Sequence, residues 1–479
     1  MPVTAPPALL GAALLALSGL VLAHPSAGVS LTRVSTDPFT NAASQHATEV
    51  EPDTYAFGGT IVGAYQAGRT FIAGSADLGW ATSFDGGATW RHGLLPGLTT
   101  HLGGGKFGSV SDPSVVFDAK HKTWMISGLE VSTGTTGAGV SVSRSADGQH
   151  WIKPVMAIGV PRDSYDKDWI TCDNHAASPH YGNCYIEADI DSKDDTIVMS
   201  TSGDGGATWS AQRRPAGAAL GLGGQPVVQP SGQVVVPYLA NNLVISVFSS
   251  ANGGGTWSKP TTVTRVRLHP VAGAMRDGDG LPSVAIDASG RLYMVWQDCR
   301  FRTGCSSNDI VMSTSANGTT WSKVARIPID PTTSGTDHFI PGIGVSGSGA
   351  QIGVYYYFLA KASCKIAACK LDVGYISSAT GGGTWSAPTM VAGPMKITQL
   401  PRTSGGRMVG DYVSCSVSGG RAFSIFAVGK PPTGGRAFNE AMYTAGGLPI
   451  TGGSRQAVTG PIRPGRPATP DLSATVKRE

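Results

Sequence analysis

Polar and charged side chains gather at recurring points of this sequence, each at the opening of a short apolar run. Glu51-Pro52, Asp112-Pro113, Lys167-Asp168-Trp169, Gln225-Pro226, Leu281-Pro282, Ile340-Pro341 and Gly410-Asp411-Tyr412 mark these points at intervals of 55 to 70 residues. Beside them stand Gln45, His46, Glu49, His101, Lys106, Arg162, Asp166, Arg276, Asp277, Asp279, Asp337, His338 and Arg407. These types suit acid–base chemistry next to an anionic group. Carboxylic acids and His exchange protons, His near neutral pH, and the planar Arg fork pairs bidentately with a carboxylate. Residues so far apart in the chain act together only if a repeated fold brings the start of every unit to one place.

Composition narrows that fold. The chain has 479 residues, of which 66 are Gly, 10 are Trp and only 14% are charged. Low charge with many aromatics excludes wholesale disorder, and Gly without a three-residue period excludes collagen. A dispersed net charge of +4 gives no basic face for nucleic acid. Abundant Gly, Ser and Thr with little Lys and Glu favour strands and turns, hence an all-β chain. Four strands of five or six residues with their turns fill one interval, the period of a β-propeller blade. Seven blades are expected over residues 46–445, six being the alternative.

An offset repeat agrees. SFDGGATW ends at Trp90, SADGQHW at Trp151, SGDGGATW at Trp209, SANGGGTW at Trp257, SANGTTW at Trp321 and SATGGGTW at Trp385. In each, Asp or Asn takes a tight turn and Gly accepts positive φ, leaving Trp to pack on the sheet. These segments resemble Asp-boxes, and the chain is similar to secreted Asp-box (BNR) proteins of the sialidase superfamily. The resemblance implies that the boxes are structural turns between the third and fourth strands of each blade. It also implies a ligand site on one axial face. The last blade has no box and is expected to close with an N-terminal strand.

By that resemblance the protein is a carbohydrate-active enzyme making exo-acting cuts at a terminal sugar of an acidic glycan. Sialidases hold a substrate carboxylate with three Arg and use an Asp acid/base and a Tyr nucleophile. The carry-over falls on Arg276 and Arg407, with Arg300 or Arg162 as the third, on Asp112 as the acid, and on Tyr356 or Tyr412 as the phenol. Lys167 and His338 join them as substrate-binding candidates. The F/Y-R-I-P segment of sialidases is absent, and the nearest text, Phe339-Ile340-Pro341, lacks Arg. The chain also resembles seven-bladed rhamnosidases and lyases acting on rhamnosyl-glucuronate glycans. There His46 and His101 would supply the acid and base. A non-catalytic propeller binding glycans or proteins is the reading from another class.

Residues 8–22 are uncharged and apolar and lead to the small Ala23, so residues 1–23 are expected to be an export signal, followed by a linker over 24–45. No later apolar stretch has membrane-spanning length, and a secreted monomer is expected. Cys172/Cys184, Cys299/Cys305 and Cys364/Cys369 are close couples suited to disulfides in an oxidising compartment, with Cys415 left as a buried thiol. The tail 446–479 is rich in Pro, Gly and Arg and is expected to be mobile. Leu448-Pro449-Ile450-Thr451-Gly452 matches a wall-anchoring signal but lacks the hydrophobic segment that should follow. Asp277-Gly278-Asp279-Gly280 offers carboxylates to calcium without an EF-hand's twelve-residue loop, and GGGKF at 103–107 lacks Walker spacing. No cofactor is expected. In Tyr355-Tyr356-Tyr357, strand alternation turns Tyr356 away from its neighbours.

Overall fold

A computed structural model describes Met1 and residues 28–132, 137–159 and 163–459. The expected export signal, Arg162 and the tail beyond residue 459 lie outside the described residues. Among the described residues there is no α-helix, only strands and short 3₁₀ turns. No helix is long and apolar enough to cross a membrane.

The strands follow one another in antiparallel sets. The first comprises Glu49–Phe57, Thr60–Arg69, Ser75–Ser83 and Arg91–Leu94, and the second Ser109–Asp118, Thr123–Val131, Gly137–Ser145 and Trp151–Ile158. Next come Tyr165–Cys172, Cys184–Ile190 and Thr196–Ser202, then Val227–Val228, Val234–Ala240, Val244–Ser250 and Thr261–Arg265. Ser283–Ile286, Leu292–Asp298, Asp309–Ser315 and Ala325–Arg326 precede Asp337–Val345, Ile352–Leu359, Lys370–Ser378 and Thr389–Lys396. In the last set, Phe426–Gly429 pairs with Glu440–Thr444, and the N-terminal strand Thr32–Arg33 completes it, Thr32 lying opposite Thr444. The innermost strand of each set packs on that of the next, and Ser416–Ser418 of the last packs on Glu49–Phe57 of the first. The ring closes side by side: Thr54 Oγ1 meets Ser414 Oγ at 2.7 Å, and Ser416 Oγ donates to the Thr54 carbonyl at 2.8 Å. Strands such as Val234–Ala240 (VVVPYLA) are buried at nearly every position, because both faces are covered by neighbouring sets. Such strands read as apolar runs instead of alternating.

The Asp-box turns sit where the third strand of a set gives way to the fourth. Asp204 accepts from the Thr208 amide (2.9 Å), the Thr208 hydroxyl (2.6 Å) and the Ala207 amide (3.0 Å), while Trp209 Nε1 donates to the Gly206 carbonyl at 3.2 Å. In the divergent boxes Asn252 and Thr380 accept the corresponding amides of Thr256 and Thr384 at 2.9 and 2.8 Å. Any short side-chain acceptor serves, which explains the drift from Asp. Because the Asp204 turn is solvent-exposed, Asp204→Ala should cost only about 1 kcal/mol, read from the midpoint of chemical denaturation.

Gln225-Pro226 and Leu281-Pro282 directly precede the inner strands Val227–Val228 and Ser283–Ile286, as the sequence suggested, whereas Glu51-Pro52, Asp112-Pro113 and Ile340-Pro341 kink their strands from within. Glu51, Asp112, Lys167 and Ile340 have φ of 58°, 47°, 50° and 48°. The ladder slips beside each of them, between Val50 and Asp53, Ser111 and Ser114, Asp166 and Asp168, and Phe339 and Gly342. These are β-bulges, which re-aim one side chain and sharpen the twist. Pro fits beside them because it has no ladder hydrogen to lose. Left-handed backbone is rare outside Gly, and for the β-branched Ile340 it is a true outlier. Its recurrence at one level of the ring shows that the ring itself enforces it.

All three expected disulfides are formed, Cys172–Cys184, Cys299–Cys305 and Cys364–Cys369, and Cys415 is a buried free thiol. The start of the tail is not loose. Leu448 pairs with Ala422, Thr451 N donates to Ser377 Oγ at 3.1 Å, and Gln456 pairs with Thr384. Unpaired edge groups of the last sets take up this segment, so the Leu448–Gly452 text is part of the fold.

Candidate active site

The bulges aim Glu51, Asp112 and Lys167 at one point. Lys167 Nζ lies 2.8 Å from Asp112 Oδ1, 2.6 Å from Asp411 Oδ2 and 3.4 Å from Glu51 Oε1. Arg276 clamps Asp411 from the other side, Nε to Oδ1 at 2.6 Å and Nη2 to Oδ2. Gln66 Nε2 joins Glu51 to Ser111 Oγ. All these charged side chains are buried. Burial alone would discharge Lys167, but Asp112, Asp411 and Glu51 outweigh it and hold the ammonium well above its ordinary range. Burial would likewise neutralise Asp411, yet Arg276 and Lys167 keep its carboxyl far below the usual value. Gly278 completes the packing: its φ is +69°, and a Cβ there would fall 2.2 Å from the Asp411 carbonyl oxygen.

Below this cluster lies a pocket lined by Lys167, Asp168, Trp169, Gln225, Asp277, Ser283, Gln297, Pro341, Asp411 and Tyr412, among others. Trp169 and Tyr412 meet edge to face at 5.2 Å. The Tyr412 hydroxyl donates to the Pro113 carbonyl at 3.0 Å. Burial, with Glu51 and Asp112 nearby, pushes its phenol well above the ordinary value. Gln297 Nε2 donates to Asp277 Oδ2 at 3.2 Å. Asp168 behaves oppositely to Asp411: burial, reinforced by Asp112 and Glu187, pushes its carboxyl well up. Two of the carboxyls lining the pocket are thus shifted in opposite directions, Asp168 upward and Asp411 downward.

Of the residues singled out from sequence, Glu51, Asp112, Lys167, Asp168, Gln225, Arg276, Asp277, Asp411 and Tyr412 converge here. Several others lie elsewhere. His46 Nε2 is 3.0 Å from the Asn41 carbonyl, and His101 is exposed near Phe39. Arg300 pairs with Asp298 at 2.6 Å. His338 is buried against Tyr356 and Phe358, beside an ion quartet in which Arg302 and Arg326 bridge Asp309 and Asp330. Those two guanidiniums already pair with Asp309 and Asp330, the two carboxylates that with His338 stand close enough to hold a cation. Tyr356 is packed in the core with Trp385 and Ile376. Arg407 is a neighbour through its backbone, the Arg276 amide donating to its carbonyl at 2.8 Å, but its guanidinium turns to the Thr398 and Leu400 carbonyls. Asp168 and Asp411, named among the blade-entry groups but given no catalytic role, are the pair whose carboxyls are shifted in opposite directions. Gln66 and Gln297 were signalled only as lone amides inside apolar strands.

Buried carboxyls extend beyond the pocket. Burial pushes Glu49 and Asp53 to about 7, Glu130 to about 8 and Asp337 to about 7. An unfolded chain ionises such groups near pH 4. The folded state therefore holds protons that the unfolded state releases, and stability falls as pH rises from about 4 to 8. Asp411 acts in the opposite sense, its contribution being lost as pH drops below about 4. Thermal unfolding should thus occur several degrees higher at pH 5 than at pH 8; a midpoint that rises with pH across this window would contradict the burial of these acids.

Residues 184–342 match the family described as a BNR repeat-like domain. That stretch is a BNR repeat-like domain. It contains the boxes ending at Trp209, Trp257 and Trp321, and BNR turns with the same bonding recur outside it. Asp85 accepts from Thr89, and Trp385 Nε1 donates to Gly382. No curated protein matches the chain. Solved structures similar to it include the Hadza microbial sialidase Hz136, at 17% identity and a TM-score of 0.46 over 65% of this chain and 64% of that one. The chain therefore spans slightly less than two thirds of that sialidase. A polysaccharide lyase described as an ulvan lyase is 12% identical with a TM-score of 0.47 in its ligand-bound form, over 87% of this chain and 97% of that one. The BP39L lectin from Burkholderia pseudomallei is 12% identical with a TM-score of 0.49, over 80% and 93%.

Proposed function

We propose that the protein is an exported glycan-cleaving enzyme whose strand sets are seven blades of one propeller, with the cleavage site in the axial pocket. One feature carries the reading: Asp168 and Asp411 line the same pocket, where burial pushes the first carboxyl up and Arg276 and Lys167 hold the second down. Pairs of titratable groups pushed apart in this way are how acid and charge-stabilising roles are divided at one pH. Asp168 gives its proton to the glycosidic oxygen as the bond to the anomeric carbon breaks. Asp411, kept ionised by Arg276 and Lys167, faces the positive charge that develops on the sugar. Water adds to the anomeric carbon, and the proton it releases restores Asp168. Trp169 and Tyr412 offer an apolar wall, while Gln225, Gln297 and Asp277 suit sugar hydroxyls.

The test is incubation of the full chain with neutral, uronate-containing and sialylated oligosaccharides, followed by assay of new reducing ends. Reducing ends without an ultraviolet-absorbing product are expected. An unsaturated uronate product would replace hydrolysis by elimination. Binding to any of the panel without turnover would make this a binding propeller.

A further inference from the structure

The axial cations already have partners. Lys167 is shared by three carboxylates, and Arg276 is bidentate with Asp411. A sugar carboxylate or sulfate entering the pocket would have to displace one of them, so the pocket suits a neutral sugar. The rim is different. Arg402 and Arg407 are direct cross-strand partners on a small ribbon, Arg402–Thr403 against Gly406–Arg407, so their side chains leave the same face. Among the described residues neither is in an ion pair with a carboxylate. Like charges directly opposite one another cost stability, a cost that an anion lying between them removes.

The ribbon is firmly placed. Arg407 N donates to the Ala274 carbonyl and Arg276 N to the Arg407 carbonyl, each at 2.8 Å. Gly406, at φ +129°, permits this approach, since a Cβ there would lie 2.7 Å from the Ala274 oxygen. Gln45 holds Arg402 through both its amide atoms, at 2.7 and 3.1 Å. Ser404 ties the ribbon to Phe71 and Ile72, its amide to the Phe71 carbonyl at 2.9 Å and its hydroxyl to the Ile72 carbonyl at 3.3 Å. Phe71 and Ile72 are 47% and 51% exposed, an apolar ledge joined to the ribbon through Ser404. Paired strands lie about 5 Å apart. The ribbon is therefore one strand out from Arg276, next to the pocket residues Asp277 and Gly278.

We infer that Arg402 and Arg407, with Phe71 and Ile72 as a platform, form a rim subsite for the carboxylate or sulfate of an anionic polysaccharide, off the axis and away from a neutral sugar in the pocket. The inference rests on the axial pocket being the glycan site. Its test compares a uronate-containing hexasaccharide with the same hexasaccharide after carboxyl reduction, by calorimetric binding to the full chain. The wild type should bind the acidic probe roughly 10- to 100-fold more tightly, as charge-assisted hydrogen bonds imply, and the difference should shrink with added salt. The double variant Arg402→Ala/Arg407→Ala should lose the difference and keep its affinity for the reduced probe, while remaining folded, with a small loss of thermal stability from the Arg407 bonds to the Thr398 and Leu400 carbonyls. Equal binding of the two probes, no binding of the acidic one, or an unchanged double variant would overturn the subsite. Asp168→Asn separates the two readings: it should bind both probes as the wild type does, and if it still cleaves, the axial assignment fails while the rim result stands.

Discussion

Replacing Lys167 by Met should destabilise the folded protein by roughly 3–5 kcal/mol, the usual cost of removing one partner from a buried ion cluster. The ammonium stands among Glu51, Asp112 and Asp411, all buried. Without it Asp411 keeps Arg276, but Glu51 and Asp112 are left with each other's charge in a site water does not reach. Both are fixed there by left-handed bulges and cannot turn to solvent. Denaturant midpoints of wild type and variant measure the loss, and their pH dependence identifies its origin. Lowering the pH toward 4 protonates the stranded carboxyls and should shrink the deficit. Adding Glu51→Gln and Asp112→Asn to the variant should restore much of it, because a neutral cluster carries no unpaired charge. A single variant within 1 kcal/mol of wild type would mean that the cluster is hydrated and weak.

Asp168→Asn should lower kcat by about 100- to 10,000-fold, the usual contribution of a positioned general acid, while leaving substrate affinity nearly unchanged. The amide keeps the shape and cannot give a proton. The pH profile is the sharper readout: the loss of rate on the alkaline side, where the elevated Asp168 carboxyl finally ionises, should vanish in the variant. Substrates with very acidic leaving groups need little protonation and should be spared. Retention of activity within threefold would remove Asp168 from the mechanism.

The parts legible in the sequence are those whose chemistry is local. An Asp-box declares itself because acceptor, glycines and Trp fall within eight residues and satisfy one another, as Asp204 and Thr208 do. The close cysteine couples are legible for the same reason. The bulges were half legible: the X-Pro text recurs, but whether Pro starts a strand or sits inside a kinked one depends on the ladder beside it. The site was least legible. Asp411 matters because Lys167, 244 residues earlier, reaches it, and Asp168 because it is enclosed near Asp112 and Glu187. His46 and His101 attract notice by their titration range, yet nothing in the ring draws them to the axis.

The pairing of Thr32–Arg33 with Glu440–Thr444 sets an order on assembly. The N-terminal strand finds its sheet partner only when residue 444 is available, so no nascent chain can complete the ring. Long-range pairing of this kind folds slowly and leaves strand edges open meanwhile. Under the export proposed above the interval has a use: an unclosed chain can still be threaded through a membrane pore, and the last contact to form locks it on arrival. Deleting residues up to Arg33 should therefore impair recovery of folded protein more than it lowers the stability of what does fold.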